Sequence, residues 1–441
     1  MESPKPNNRS AFIIVTTLFF MWGFITVLVD ALIPRLRDVF ELSYFEAGLV
    51  QFSFFMAYFL VSIPSGSLIA RIGYKKGVIV GLITMGAGCL IFFPAASLRL
   101  FPVFLLALFV LASGITILQV AANPYVAALG PAKTASSRLN LSQAFNSLGT
   151  TIAPLVSAAF ILGSSVASKT EVDAMSTLQQ EAYFAAEASS VQGPFLVLAV
   201  VLIVLAGVFA VFKLPKILEG DEDKGGSYRE ALKTKHLMFG AIGIFVYVGA
   251  EVTIGSYLVN YFLSLDIKSL ILDSGFMRTI AEFLSGSDLK ELNVSRLAGT
   301  FVFFYWFGAM IGRFIGAALQ LKIKPSKLLS AYALINVVLL TITILSTSYF
   351  AFWTVLSIGL FNSIMFPTIF TLSIDGLKNN TAQGSGILCT AIVGGAIIPP
   401  LYGFFADALS LQLAFIVPIL CYLYIAWYGK YLSGRKNLEM S

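Results

Sequence analysis

The chain has 441 residues, 58% of them hydrophobic and only 12% charged. A water-soluble domain carries about twice that charged fraction, so a soluble globular enzyme is excluded and lipid is the expected solvent. The net charge of +6 does not mark a nucleic-acid binder, because no Lys/Arg stretch interleaved with aromatics forms a basic footprint.

Apolar runs of roughly 20 residues, the length that crosses a hydrocarbon core of ~30 Å, recur along the chain. In order they predict twelve spans: 11–34, 47–70, 77–97, 101–127, 138–163, 192–213, 237–263, 297–321, 328–347, 350–373, 384–406 and 411–432. The first run is too long for a signal-peptide core and has no small-residue cleavage site, so it is expected to remain as a helix. The polar, Gly-bearing stretch 214–236 reads as a cytoplasmic linker between two six-helix bundles, 1–213 and 237–441. Segments 164–191 and 264–296 are also polar. With both termini on one side, 21 of the 29 Lys and Arg fall on that side and eight on the other. Arg313 is counted there with the helix ends. The positive-inside rule then makes both termini cytoplasmic, in the inner membrane.

A weak internal repeat appears at an offset near 250. Phe54-Phe55 then Gly66 in the second span matches Phe304-Tyr305 then Gly316 in the eighth. Gly149 through Pro154 in the fifth matches Gly394 through Pro399 in the eleventh, and Pro124 in the fourth matches Pro367 in the tenth. A duplicated transporter fold predicts such a pattern, with the solute site between the halves near mid-membrane.

Polar groups inside apolar spans carry the functional information, because a central charge costs about 2.5–3.5 kcal/mol on insertion scales. Two acids lie well inside spans: Asp30 in the first and Glu251 in the seventh. Neither has a Lys or Arg within a helical turn. Both are candidates for cation coupling and for accepting solute hydroxyls. Around them are uncharged amides: Gln119 and Asn123 in the fourth span, Asn140, Gln143 and Asn146 in the fifth, Asn260 in the seventh and Asn362 in the tenth. Gln119 and Asn123, and likewise Gln143 and Asn146, share a helical face by spacing. An amide offers both donor and acceptor, which suits a ring of hydroxyls. The bland alternative is interhelical hydrogen bonding, worth ~0.6 kcal/mol per contact. Tyr305, with Trp22 and Trp306, is a candidate for stacking on a sugar face. Gly249 and Gly255, beside Thr253, would let the seventh helix open its carbonyls toward a transient Na⁺ near Glu251.

No catalytic constellation, cofactor or resident metal is expected. The single histidine, His236, excludes a His-cluster metal site and a triad. Cys89, Cys389 and Cys421 lie inside apolar runs and read as packing residues.

The loop Gly66-Ser67-Leu68-Ile69-Ala70-Arg71-Ile72-Gly73-Tyr74-Lys75-Lys76 resembles the major facilitator motif G-x-L-a-D-R-x-G-r-k, with Ala70 in place of the usual Asp. Over nearly its whole length the chain resembles the fucose–glucose/galactose permease family. The carrying segments are Gln119 to Val126, Arg138 to Ser147, Tyr247 to Glu251 and Phe361 to Phe370. The resemblance implies a twelve-helix secondary transporter working by alternating access. Its fucose/proton branch has acids in the first and fourth spans. Asp30 matches the first, Gln119 replaces the second, and Glu251 stands where that branch has Gln. This pattern is similar to the bacterial glucose/galactose transporters, for which sodium coupling is implied. The expected function is therefore import of a neutral hexose with Na⁺, by a monomer. The alternatives are a proton-coupled fucose or N-acetylglucosamine permease, a drug antiporter, and a non-transporting sensor. A drug antiporter would favour a large apolar cavity over clustered amides, and a sensor would call for a long soluble domain.

Overall fold

The structure, a computed structural model, describes residues 8–40, 44–98, 100–160, 174–215, 217, 226–285, 294–346 and 348–434. The acidic part of the predicted linker, 219–225, lies outside them. Among the described residues there are helices and no strands. Only helices can cross lipid without a closed sheet, since each buried backbone N–H and C=O needs an internal partner.

Six long helices come first: α1 Asn8–Phe40, α2 Tyr44–Ile72, α3 Tyr74–Leu98, α4 Phe101–Ala128, α5 Ala135–Phe160 and α6 Thr177–Val211. A single turn, Tyr228–Ala231, precedes α7 Lys235–Ser264. Then come α8 Ile267–Asp273, α9 Gly275–Ser285, α10 Val294–Leu319 and α11 Pro325–Leu345. The last elements are α12 Ser348–Asn362, α13 Met365–Ile374, α14 Thr381–Thr390, α15 Gly394–Ala408 and α16 Ile416–Ser433. Among the described residues eleven candidate spans are long and apolar enough to cross a bilayer. The predicted fifth span corresponds to α5, whose Arg138, Asn140, Gln143 and Asn146 make it less apolar.

Three departures from the expected spans have local causes. Helix α6 begins well before residue 192, because the Ser176 N–H donates to Gln179 Oε1 at 3.0 Å, closing a capping box. The polar segment 264–296 contains the amphipathic α9, which buries Met277 and Ala281, one turn apart, and exposes Phe276 and Phe283. The predicted tenth span is broken between α12 and α13. Pro367 has no N–H to give the Ser363 carbonyl four residues back, so the ladder is interrupted there.

The chain divides into two compact units. One comprises Met1–Gly130, Phe145–Ala231 and Leu377–Thr390; the other comprises Pro131–Ala144, Leu232–Gly376 and Ala391–Ser441. In the first, α3 and α4 meet through small residues: a Cβ on Gly114 would lie 2.4 Å from Met85 N, and one on Gly88 2.5 Å from Leu111 N. Such close backbone approach drives helix association where lipid supplies no hydrophobic force. Phe92 stacks on Phe195 with ring centroids 4.0 Å apart, joining α3 to α6. Gly73 turns the chain between α2 and α3 at φ 83, in the left-handed region that favours glycine. Tyr228 Oη donates to the Ile63 carbonyl. Burial pushes this phenol up to about 12, so it keeps the proton it donates. In the second unit, α7 packs on α15 and α16, α10 on α12, and α11 on α16.

The repeat is visible inside each unit. A Cβ on Gly149 would lie 2.3 Å from the Phe20 carbonyl, and one on Gly394 2.0 Å from the Phe245 carbonyl. Each glycine thus sets its helix against the first helix of its own half.

Candidate substrate and cation site

In the second unit a buried polar network surrounds Glu251. Tyr247, one turn earlier on α7, donates its hydroxyl to Glu251 Oε1 at 2.7 Å. Tyr305 on α10 donates to the Glu251 main-chain carbonyl at 3.5 Å and accepts from Asn362 Nδ2 at 2.7 Å. Asn362 Oδ1 in turn accepts from Asn336 Nδ2 at 3.0 Å and from Tyr422 Oη at 2.6 Å. Tyr305, Asn336, Asn362 and Tyr422 are all fully buried. Arg313, also on α10, faces Glu251 and Tyr247 electrostatically. Its guanidinium donates from Nε to the Ser363 carbonyl at 3.2 Å and from Nη1 to the Gln143 carbonyl at 3.4 Å. The first of these replaces the hydrogen bond that Pro367 cannot make.

The predicted residues divide as follows. Glu251, Tyr305 and Asn362 are brought into one network; Gln143 is buried, and its main-chain carbonyl, not its side-chain amide, is the group that Arg313 bonds. Asn260, two turns beyond Glu251 on α7, is exposed and takes no part in that network. In the first unit Gln119 Nε2 donates to Tyr58 Oη at 2.7 Å. Asn123 is fully buried one turn further along α4. Asn146 Nδ2 donates to the Phe19 carbonyl at 2.9 Å, joining α5 to α1. Asp30 belongs to α1, but its side chain lies outside the described residues. Several amides therefore also bridge helices. Asn362 Oδ1, with two donors on it, has both lone pairs engaged.

The two units use the same device. Gln119 meets Tyr58 in the first, and Asn362 meets Tyr305 in the second, each at 2.7 Å. Tyr58 lies one turn beyond Phe55, the position that the repeat matches with Tyr305. The two prolines match as well: the Val120 carbonyl, four residues before Pro124, accepts from Ser385 Oγ at 2.8 Å, as the Ser363 carbonyl accepts from Arg313. In both places a proline frees a carbonyl and a side chain from another helix supplies the donor.

Sequence reasoning missed Arg313, Tyr247, Tyr422 and Asn336. Tyr247 was legible as the residue four before a membrane-embedded acid. Arg313 was assigned to a helix end by the charge count, although it lies within the predicted span. The reading that no Lys or Arg lies within a helical turn of Glu251 concerns α7 alone, and Arg313 on α10 faces the acid electrostatically.

A bundle of apolar helices with buried amides and an acid at its polar centres defines a polytopic membrane protein of the transporter type. The Major Facilitator Superfamily model matches residues 11–392, and the chain belongs to that superfamily. It is 49% identical to the glucose/galactose transporter of Brucella abortus (strain 2308), over 99% of this chain and 96% of that one. It is 33% identical to the L-fucose-proton symporter of Escherichia coli (strain K12), over 96% of this chain and 93% of that one. The crystal structure of the E. coli fucose:proton symporter superposes with a TM-score of 0.84 at 30% identity, covering 96% of this chain and 98% of that one.

Proposed function

We infer that this protein is a secondary active symporter that imports a neutral hexose of the glucose/galactose type together with Na⁺, by alternating access. The observation that carries the reading is the network of Glu251, Tyr247, Tyr305 and Asn362: an acid retained in an apolar helix and surrounded by hydroxyls and amides. The similarity to a glucose/galactose transporter over nearly the whole of both chains supports the sugar class. The substrate groups are Asp30, Gln119, Asn123, Gln143, Asn146, Glu251, Asn260, Tyr305 and Asn362, with Asp30 and Glu251 serving the cation. Na⁺ is cargo here, held transiently near Glu251 by carboxylate, hydroxyl and carbonyl oxygens. The functional halves are 1–213 and 237–441, joined by the cytoplasmic linker 214–236. The protein works as a monomer in the cytoplasmic membrane with both termini inside.

The energetics suffice. One cation entering down ~100 mV releases about 2.3 kcal/mol, and each ~1.4 kcal/mol is tenfold, so the potential alone supports roughly fifty-fold accumulation at one-to-one coupling.

A second reading, proton coupling through Glu251, draws on the similarity to a fucose-proton symporter. The sugar assignment is tested by binding of glucose and galactose to Gln143→Ala and Asn146→Ala. Loss of binding in both folded variants is expected. Wild-type binding in both would move the site elsewhere. Because Asn146 also joins α5 to α1, folding is checked by size exclusion before binding is read.

A further inference from the structure

Arg313 occupies a junction that the proposed symport does not by itself explain. One face of α10 carries Arg313 and Ala317, and Gln320, the first residue past the helix, continues it, its N–H still bonded to the Gly316 carbonyl at 3.0 Å; the three stand at positions i, i+4 and i+7. That face is zipped to the α5 segment of the second unit. Ser137 Oγ donates to the Ala317 carbonyl at 2.7 Å. Asn140 Nδ2 donates to Gln320 Oε1 at 2.7 Å. Gln320 Nε2 donates to Thr368 Oγ1 at 2.7 Å, and Ser136 pairs with Thr371 at 2.6 Å, which extends the zipper to α13. Arg313 ends this row with its bond to the Gln143 carbonyl. At that end it also faces Glu251.

Of the Arg313 bonds to neutral carbonyls, that to Ser363 at 3.2 Å sits at the upper end of the usual range and that to Gln143 at 3.4 Å lies beyond it. A guanidinium bonds a carboxylate more strongly than a carbonyl, and its rigid fork cannot follow both without turning. A cation on Glu251 compensates the carboxylate, and Arg313 then keeps its bonds to the Ser363 and Gln143 main-chain carbonyls. When the cation leaves, the uncompensated carboxylate draws the guanidinium off Gln143. The titratable groups facing Glu251 are Tyr247 on its own helix, Arg313 and Tyr305 on α10, and Tyr422 on α16. Of these, Arg313 carries the fixed positive charge.

We propose that Arg313 is the positioning residue that transmits cation occupancy at Glu251 to the segment Pro131–Ala144, the start of α5 and the turn before it, which carries Gln143. The inference rests on the symport reading and adds to it the residue through which the two cargoes communicate.

The test uses the full chain in proteoliposomes, with labelled galactose and with Na⁺ or a proton gradient, whichever drives wild-type uptake. Hydrogen exchange of peptides over 136–144 is followed with and without that cation. In wild type, cation removal should speed exchange there by about 5–150-fold, the ordinary range of coupling between sites. Arg313→Gln should lose this dependence and its gradient-driven accumulation, yet still exchange galactose across the membrane and still show a cation-dependent change near Glu251. Arg313→Lys keeps the charge without the fork and should recover part of the dependence, which guards against a folding failure of the Gln variant. Unchanged cation dependence of 136–144 in folded Arg313→Gln would overturn the inference while leaving symport intact. Wild-type uptake indifferent to both gradients would overturn symport and, with it, the inference.

Discussion

Tyr305 accepts from Asn362 and donates toward the Glu251 carbonyl, and both side chains are fully buried. Removing its hydroxyl leaves the Asn362 N–H without that acceptor. Tyr305→Phe should therefore lower stability by about 1–3 kcal/mol, the usual cost of a buried polar group that loses its partner. Thermal unfolding in detergent measures this, and an unchanged midpoint would remove Tyr305 from the network. Glu251→Gln differs in kind. A Gln carbonyl still accepts from Tyr247, so the fold should survive while the cation dependence of uptake disappears. Asp30→Asn should abolish gradient-driven accumulation and leave exchange without a gradient in place, since exchange needs no net cation release; full accumulation by this variant would remove Asp30 from coupling. At this scale the sequence exposes acids well, because a charge in an apolar run stands out. It exposes their partners poorly. Arg313 faces Glu251 electrostatically from another helix, and one-dimensional spacing carries no sign of that.

At the scale of helices, glycine and proline do most of the placing. A Cβ at Gly394 would meet the main-chain carbonyl of Phe245, and one at Gly149 that of Phe20. Backbone cannot swing aside as a flexible side chain can. Gly149→Ala and Gly394→Ala should each destabilise by about 1–3 kcal/mol, as overpacking does, while Gly207→Ala, with nothing within 4 Å, should be close to neutral. Fluorescence-detected size exclusion across a temperature ramp separates the three, and equal midpoints would contradict the close-packing account. Most helices were legible from apolar run length alone. The break between α12 and α13 was signalled by Pro367, but the apolar run continues through it and hides the interruption. The early start of α6 was signalled by the Ser176-to-Gln179 spacing, inside a stretch whose polarity suggested a loop. Amphipathic α9 was hidden for the same reason.

Across the whole molecule, the duplicated amide–tyrosine pairs and proline-freed carbonyls show one local solution used in both halves, and they give the weak sequence repeat a physical content. The repeat was faint because most of its positions tolerate any apolar residue, while the conserved geometry rests on a few glycines, prolines and polar side chains. Superfamily membership follows from the match over residues 11–392. The central functional claim adds that a cation drives hexose import through Glu251. The most direct measurement is uptake of labelled glucose, galactose, fucose and N-acetylglucosamine into vesicles, with Na⁺ and pH gradients imposed separately. The account predicts glucose and galactose uptake that depends saturably on Na⁺ at fixed pH and loses that dependence in Glu251→Gln. Undiminished uptake in Na⁺-free buffer that collapses when the pH gradient is dissipated would contradict it.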